Sequence, residues 1–272
     1  MASATVKDSS PSYYLALGDS LATGVGATPG RSYVDDLYAA ELRRTPDLRL
    51  ANLGCAGDTT TRMIHGGTCR DYQTGNQLGD AEEFLATHRG HVAFVTLDIG
   101  GDDIVGCAVN VVSVNPTCVT RALAEVSSNL PVILSGLRRT GGKVPIVGMS
   151  YYDPALAAYV TGPPFFPGTD NHALARASLS MLDRLNNDLR EIYKRFGVVV
   201  ANGQGAFHSS DWKTTGVYEG KKVPQNVADV CNWTHMCMTD GGRPNIHTND
   251  TGHALLATAF ERALAPILEK SR

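Results

Sequence analysis

The chain has 272 residues, with 24 basic and 27 acidic side chains and a formal charge of −3 at neutral pH. That near balance gives no electrostatic footprint for nucleic acid or for an anionic membrane surface. No apolar run approaches the roughly 18 residues of a membrane-spanning helix, and the 28 glycines point to many tight turns in a globular protein.

Residues 1–11 are small and polar, without an apolar core, and read as a disordered or processed segment rather than a signal peptide. No linker or low-complexity stretch divides residues 12–272, which read as a single domain. Tyr13–Leu17 is the first predicted strand, followed by a glycine-rich turn with Gly24, Gly26 and Gly30. Tyr33–Leu42 has helical spacing, with acids early and Arg43-Arg44 at its end, matching the helix dipole. Leu48–Leu53 alternates as a second strand, Ala81–His88 is a short helix, and the continuous apolar run Val92–Leu97 is a central strand. Thr117–Arg139 is an amphipathic helix and Val144–Met149 a fourth strand. Asp153–Thr169, with four prolines, is an irregular insertion. Asn171–Phe196 is a long helix, Val198–Ala201 a fifth strand, and Asp250–Lys270 the closing helix.

Strands alternating with helices imply an α/β fold, a three-layer α/β/α sandwich around a parallel sheet of about five strands. Ligands of such sheets bind beyond the carboxyl ends of the strands. Three predicted strands end in small polar clusters: Gly18-Asp19-Ser20, Gly54 to Asp58, and Gly100 to Asp103.

The six cysteines fall in three sequence-local pairs, Cys55/Cys69, Cys107/Cys118 and Cys231/Cys237, each bracketing a loop-like stretch. Six cysteines admit many connectivities, but the even count and local pairs favour disulfides, each worth roughly 2–3 kcal/mol by loop closure. That choice implies an oxidising, extracellular location. A metal site on Cys231, His235 and Cys237 is the rival, and it lacks the paired short spacings of structural zinc.

A serine hydroxyl is a poor nucleophile until a base takes its proton, and its oxyanion needs donors in place. Ser20 at a strand end meets the first need if His247 is the base, and Gly57 offers an N–H at a second strand end. Alone, Gly18-Asp19-Ser20 is as well read as an ordinary turn. Four blocks together read differently: Gly18-Asp19-Ser20-Leu21, Ala56-Gly57-Asp58-Thr59, Gly100-Gly101-Asp102-Asp103 and Ile246-His247-Thr248-Asn249. In order and spacing they resemble the SGNH (GDSL) hydrolases over nearly the whole chain. The segment Cys231–Cys237 resembles the small disulfide loop of secreted actinobacterial members.

The resemblance implies a flavodoxin-like fold and ester hydrolysis through an acyl-serine, with no cofactor and no metal. It makes Ser20 the nucleophile, His247 the base, and the N–H groups of Ser20 and Gly57 part of the oxyanion hole. Two positions depart from the family pattern. Asp102 stands where an Asn side chain usually donates to the oxyanion, and an ionised carboxylate cannot donate; a protonated one can. Pro244 and Asn245 stand where an Asp usually supports the histidine, which leaves Asn245, Asp240 and a carbonyl of the Trp233 loop as candidate orienters of His247.

The expected substrate is a small-molecule or lipid ester and the expected state a monomer. The alternatives are a phospholipase or a carbohydrate acetyl esterase on the same fold, or a weakened, non-catalytic binding protein. Tyr159, Phe165 and Phe166 in the insertion offer a wall for acyl chains. His253 and the other histidines read as packing or solvated residues. An α/β-hydrolase reading fails because Ser20 lies too early and lacks the final glycine of Gly-x-Ser-x-Gly. A dinucleotide fingerprint fails at Pro29.

Overall fold

The computed structural model describes residues 11–108, 113–161, 171–237 and 245–270. Five parallel strands, β1 (Ser12–Gly18), β2 (Leu48–Asn52), β3 (Val92–Asp98), β4 (Ile146–Ser150) and β5 (Val199–Asn202), form one sheet in the order β2-β1-β3-β4-β5. From Tyr14 to Gly18 β1 is buried at every position, and β4 is buried throughout. Burial on both faces is what continuous apolar runs such as Val92–Leu97 require of central parallel strands. The edge strands β2 and β5 are partly exposed.

Helices cover both faces. α1 (Tyr33–Leu42) packs on α9 (Asp250–Lys270), which lies against β4 and β5. α2 (Thr60–His65), α3 (Gln77–Thr87), α5 (Pro116–Gly141) and α6 (Asn171–Arg195) form a second packed group. A short α4 (Gly101–Ile104) follows β3, and α7 (Gly203–Ala206) follows β5. The strand order reverses direction at β1, between β2 and β3, so the β1/β3 boundary is the switch point at which such sheets hold ligands. Ser20 follows β1 and Asp102 follows β3, one on each side of it.

Sequence periodicity does not reveal several short elements. They are α2, the antiparallel hairpin β6 (Thr215–Tyr218) with β7 (Lys221–Pro224), α8 (Gln225–Trp233), and the antiparallel pair β8 (Thr234–His235) with β9 (Asn245–Thr248). The predicted helix Ala81–His88 begins earlier, at Gln77, because the Asn76 side chain caps it by accepting from Gly79 N. The insertion is not wholly irregular: Pro154–Tyr159 is a 3₁₀ helix, started by Asp153, whose side chain accepts from Ala155 N. Phe165 and Phe166 lie outside the described residues.

The cysteines pair as Cys55–Cys69, Cys107–Cys118 and Cys231–Cys237, with Cα separations of 6.0, 5.7 and 5.0 Å. The zinc alternative for Cys231, His235 and Cys237 is thereby excluded, since both sulfurs are in a disulfide. Among the described residues, no helix is long and apolar enough to cross a membrane.

Candidate active site

Ser20 is carried on a turn that buried side chains hold in place. The Gln77 amide grips Gly18 from both sides: Gly18 N donates to Oε1 at 2.7 Å, and Nε2 donates to the Gly18 carbonyl at 2.9 Å. Gly18 has φ +147°, and a Cβ there would overlap the carbonyl and carboxyl of Asp98. After Ser20, Leu21 N donates to Asp19 Oδ1 at 2.9 Å and Ala22 N to Asp98 Oδ2 at 3.2 Å. Tyr151 Oη donates to Asp19 Oδ2 at 2.9 Å, and Tyr33 Oη donates to Asp98 Oδ1. Burial pushes Asp98 above the usual carboxylate range and holds Asp19 well above it, with the charge of Asp98 raising Asp19 further. The serine turn thus rests on a buried pair of carboxyls, both held above the usual carboxylate range.

His247 lies on β9, with the Asn245 amide against its imidazole. Asn245 Oδ1 accepts from the His247 backbone N–H at 3.1 Å and also contacts Nδ1 of the ring. A backbone N–H only donates, so the oxygen of the amide faces His247, and Nδ1 must carry the proton. Nε2 is left as the free lone pair, the tautomer a general base needs. Burial, and secondarily His253 and His235, pull the His247 pKa down to about 4. Tyr152 Oη donates to the Ile246 carbonyl at 2.6 Å, fixing the strand from the other side.

Gly26 lets this strand approach the serine turn. Its φ is +95°, and a Cβ would overlap the Thr248 carbonyl and lie 2.8 Å from His247 Cβ. The Gly26 carbonyl is 2.8 Å from His235 Nε2. Gly26→Ala is expected to cost about 1–3 kcal/mol, read as a fall in Tm of several degrees together with a lowered kcat, since the displaced residue is His247.

Asp102 sits on α4 with Oδ2 buried and without a hydrogen-bond partner. Burial raises its pKa to about 7, and the charges of Asp19, Asp103 and Asp58 add to the effect. Its neighbour Asp103 is used differently, accepting from Thr60 N and Oγ1 at 2.9 and 2.7 Å. Ser20, Asp102 and His247 line one pocket together with Asp19, Tyr151 and Tyr152. Among the described residues no hydrogen bond joins Ser20 to His247; such contacts tighten when substrate arrives.

Gly57 is on the loop after β2 with φ +85°, outside that pocket's lining, and its carbonyl accepts from Arg62 at 3.2 Å. The Trp233 carbonyl accepts from Asn249 N at 3.0 Å, and its ring packs edge-on against Phe207. Asp240 lies outside the described residues. Tyr159 stacks on His172 at 3.8 Å and does not line the pocket. His253 is fully buried rather than solvated. Its Nδ1 accepts from Tyr33 N at 3.1 Å, and Nε2 faces the Val25 carbonyl at 3.3 Å, so it braces the turn that holds Gly26.

No curated protein matches the chain. Solved structures that share its fold include three esterases and lipases. An extracellular lipase from Streptomyces rimosus is 18% identical with a TM-score of 0.62, covering 93% of this chain and 99% of that one. Phospholipase A1 from Streptomyces albidoflavus is also 18% identical, with a TM-score of 0.56 and coverage of 93% and 100%. An acetyl-xylooligosaccharide esterase from Geobacillus is 16% identical, with a TM-score of 0.53 and coverage of 93% and 94%. At such identities the likeness speaks for the fold. The family is given by the model of the GDSL-like lipase/acylhydrolases, which matches residues 16–255, from within β1 through β2–β5 to beyond His247. The chain belongs to the GDSL-like lipase/acylhydrolase family and is a carboxylic ester hydrolase.

Proposed function

We propose that the chain hydrolyses carboxylic esters through an acyl-enzyme on Ser20, with His247 as the base and Asp102, in its protonated form, as an oxyanion donor. The observation that carries this reading is the shared pocket of Ser20, His247 and Asp102, with Asn245 holding His247 in the basic tautomer.

His247 Nε2 takes the hydroxyl proton as Ser20 Oγ bonds to the ester carbonyl carbon. The carbonyl oxygen becomes an oxyanion facing the N–H groups of Ser20 and Gly57 and the Asp102 carboxyl. Collapse breaks the bond to the alcohol, which leaves with the proton from His247. Water, deprotonated by His247, then attacks the acyl-serine, and the acid is released as Ser20 recovers its proton. A neutral Asp102 donates where an ionised one would repel the developing charge. The three disulfides support a secreted protein, which we take to act as a monomer on a small-molecule or lipid ester.

A fluorophosphonate, which phosphonylates an activated serine, tests the reading. One equivalent is expected to add to the wild type at Ser20, read by peptide mass, and none to Ser20→Ala. Wild-type protein that stays unlabelled, while folded by circular dichroism, would support the non-catalytic alternative.

A further inference from the structure

Gly57, whose N–H faces the oxyanion in the reading above, stands outside the lining of the pocket that Ser20, Asp102 and His247 share. Its φ is +85°, and a Cβ there would meet nothing closer than 3.7 Å, so close packing does not wedge it in place. Where its N–H sits relative to Ser20 is therefore set by what joins the loop after β2 to the turn after β1.

One buried side chain joins them. Gln77 is fully buried and opens α3, a helix capped by Asn76 accepting from Gly79 N at 2.8 Å and packed along α5. Two residues before Ser20, Gly18 N donates to Gln77 Oε1 at 2.7 Å, and Nε2 donates back to the Gly18 carbonyl at 2.9 Å. The same Nε2 donates to Asp58 Oδ2 at 3.0 Å, one residue after Gly57, and Asp58 is itself 2% exposed. The root of the Gly57 loop rests on the same carbonyl, since Cys55 N donates to Gly18 O at 2.9 Å. Asp103 holds the far end through Thr60. Between those two anchors, the Asp58 carboxyl is the attachment to the serine turn.

The chemistry selects an amide. Gly18 presents an N–H and a carbonyl to one side chain, which needs an acceptor and a donor, and Asp58 needs a second donor. Glutamine supplies all three, a carboxylate at that length only accepts, and a methionine fills the space without a polar N–H or carbonyl.

We propose that Gln77 is a positioning residue of the hydrolysis: its amide ties the turn carrying Ser20 to the loop carrying Gly57 and fixes nucleophile and oxyanion donor in one relative placement. This rests on the esterase reading above. The placement matters where the oxyanion forms and not where the planar ester is held, so its loss falls on kcat rather than on KM.

The test is kcat and KM for p-nitrophenyl acetate at about pH 6, where His247 is a free base and Asp102 is protonated. Ser20→Ala is the blank, and kcat is counted per Ser20 that a fluorophosphonate labels at completion, so unfolded protein does not enter. Gln77→Met is expected to lower kcat about 10–100-fold with KM changed by less than about threefold, the effect of a displaced oxyanion donor. Asp58→Asn and Asp58→Ala remove the same charge from the surroundings of Asp102, and only the Asn keeps an acceptor for Nε2. Asp58→Asn is expected to exceed Asp58→Ala in kcat by about tenfold. Built into Gln77→Met, the same pair is expected to differ by less than about twofold, because the contact it reads is gone. A merely structural role would not produce that collapse. Gln77→Met that loses only Tm, or raises only KM, overturns the inference, as does an Asn-to-Ala difference that persists in Gln77→Met. Equal kcat for the two Asp58 variants in the otherwise wild-type chain overturns it even if Gln77→Met fails to fold. Each of these leaves the esterase reading standing. No Ser20-dependent hydrolysis by the wild type overturns both.

Discussion

Asp102→Asn is expected to extend activity into alkaline pH, where the wild type declines. With its pKa raised to about 7 by burial, Asp102 is protonated and able to donate below that pH, and ionised above it. With its pKa lowered to about 4, His247 is a free base above that value. Both groups are in the active form between the two, so wild-type kcat/KM is expected to be bell-shaped with limbs near 4 and 7. On the alkaline limb the protonated fraction of Asp102 is roughly a tenth at pH 8 and a hundredth at pH 9. An Asn donates at every pH, so the gain of Asp102→Asn over wild type is expected to be about 10-fold at pH 8. It approaches about 100-fold at pH 9, within the ~10²–10³ that one oxyanion donor supplies. Asp102→Ala lacks a donor at any pH and is expected to fall about 10²–10³ below the wild-type maximum, without an alkaline limb. The measurement is kcat/KM for p-nitrophenyl acetate from pH 4 to 9, corrected for spontaneous hydrolysis. Superimposable profiles for the wild type and Asp102→Asn would remove Asp102 from the oxyanion site.

The buried oxygen of Asp102 shows where the sequence is legible and where it is not. Three of the four blocks mark strand ends, and strand ends are set by local apolar runs that stop at small polar residues; Val92–Leu97 giving way to Asp98-Ile99-Gly100 is an instance. What lies behind those ends depends on contacts between distant segments. Asp98 looks like one more polar residue after a strand, but it anchors Tyr33 and the amides of Asp19 and Ala22. Gly26 looks like part of a flexible turn, and its function is to clear space for Thr248 and His247, more than 200 positions away. His253 falls on a helix whose apolar periodicity gives no sign that its ring caps the Tyr33 amide. The hairpin β6–β7 is four residues a side, too short for alternation to stand out from a loop. Among the orienter candidates, neither residue type nor spacing separates Asn245 from Asp240 or Trp233. What favours Asn245 is one amide accepting from a backbone N–H and facing an imidazole at once.

That amide makes the second large effect a paired one, on His247 and on Asn245. His247→Ala removes the base, and kcat is expected to fall by about 10²–10⁴ or more, the usual worth of general acid–base catalysis. Asn245→Asp is expected to act in the opposite sense. A neutral amide accepts from Nδ1–H but adds no negative charge, so the imidazolium formed during attack is stabilised only weakly in a site that already depresses its pKa. A carboxylate in the same place keeps the tautomer and adds an opposite charge within contact distance, which raises the pKa of a histidine. The acid limb is therefore expected to move up from about 4 toward the ordinary value near 6.5, and kcat on the plateau to rise about tenfold or more. Asn245→Ala loses the tautomer lock and is expected to lower kcat by about 10-fold or more, with KM little changed, because the ring turns without altering the rest of the pocket. pH profiles of kcat for the three variants decide the matter. An acid limb left in place by Asn245→Asp would mean that the amide is not what holds His247 during the reaction, and the other candidates, Asp240 and the Trp233 carbonyl, would then be tested in its place.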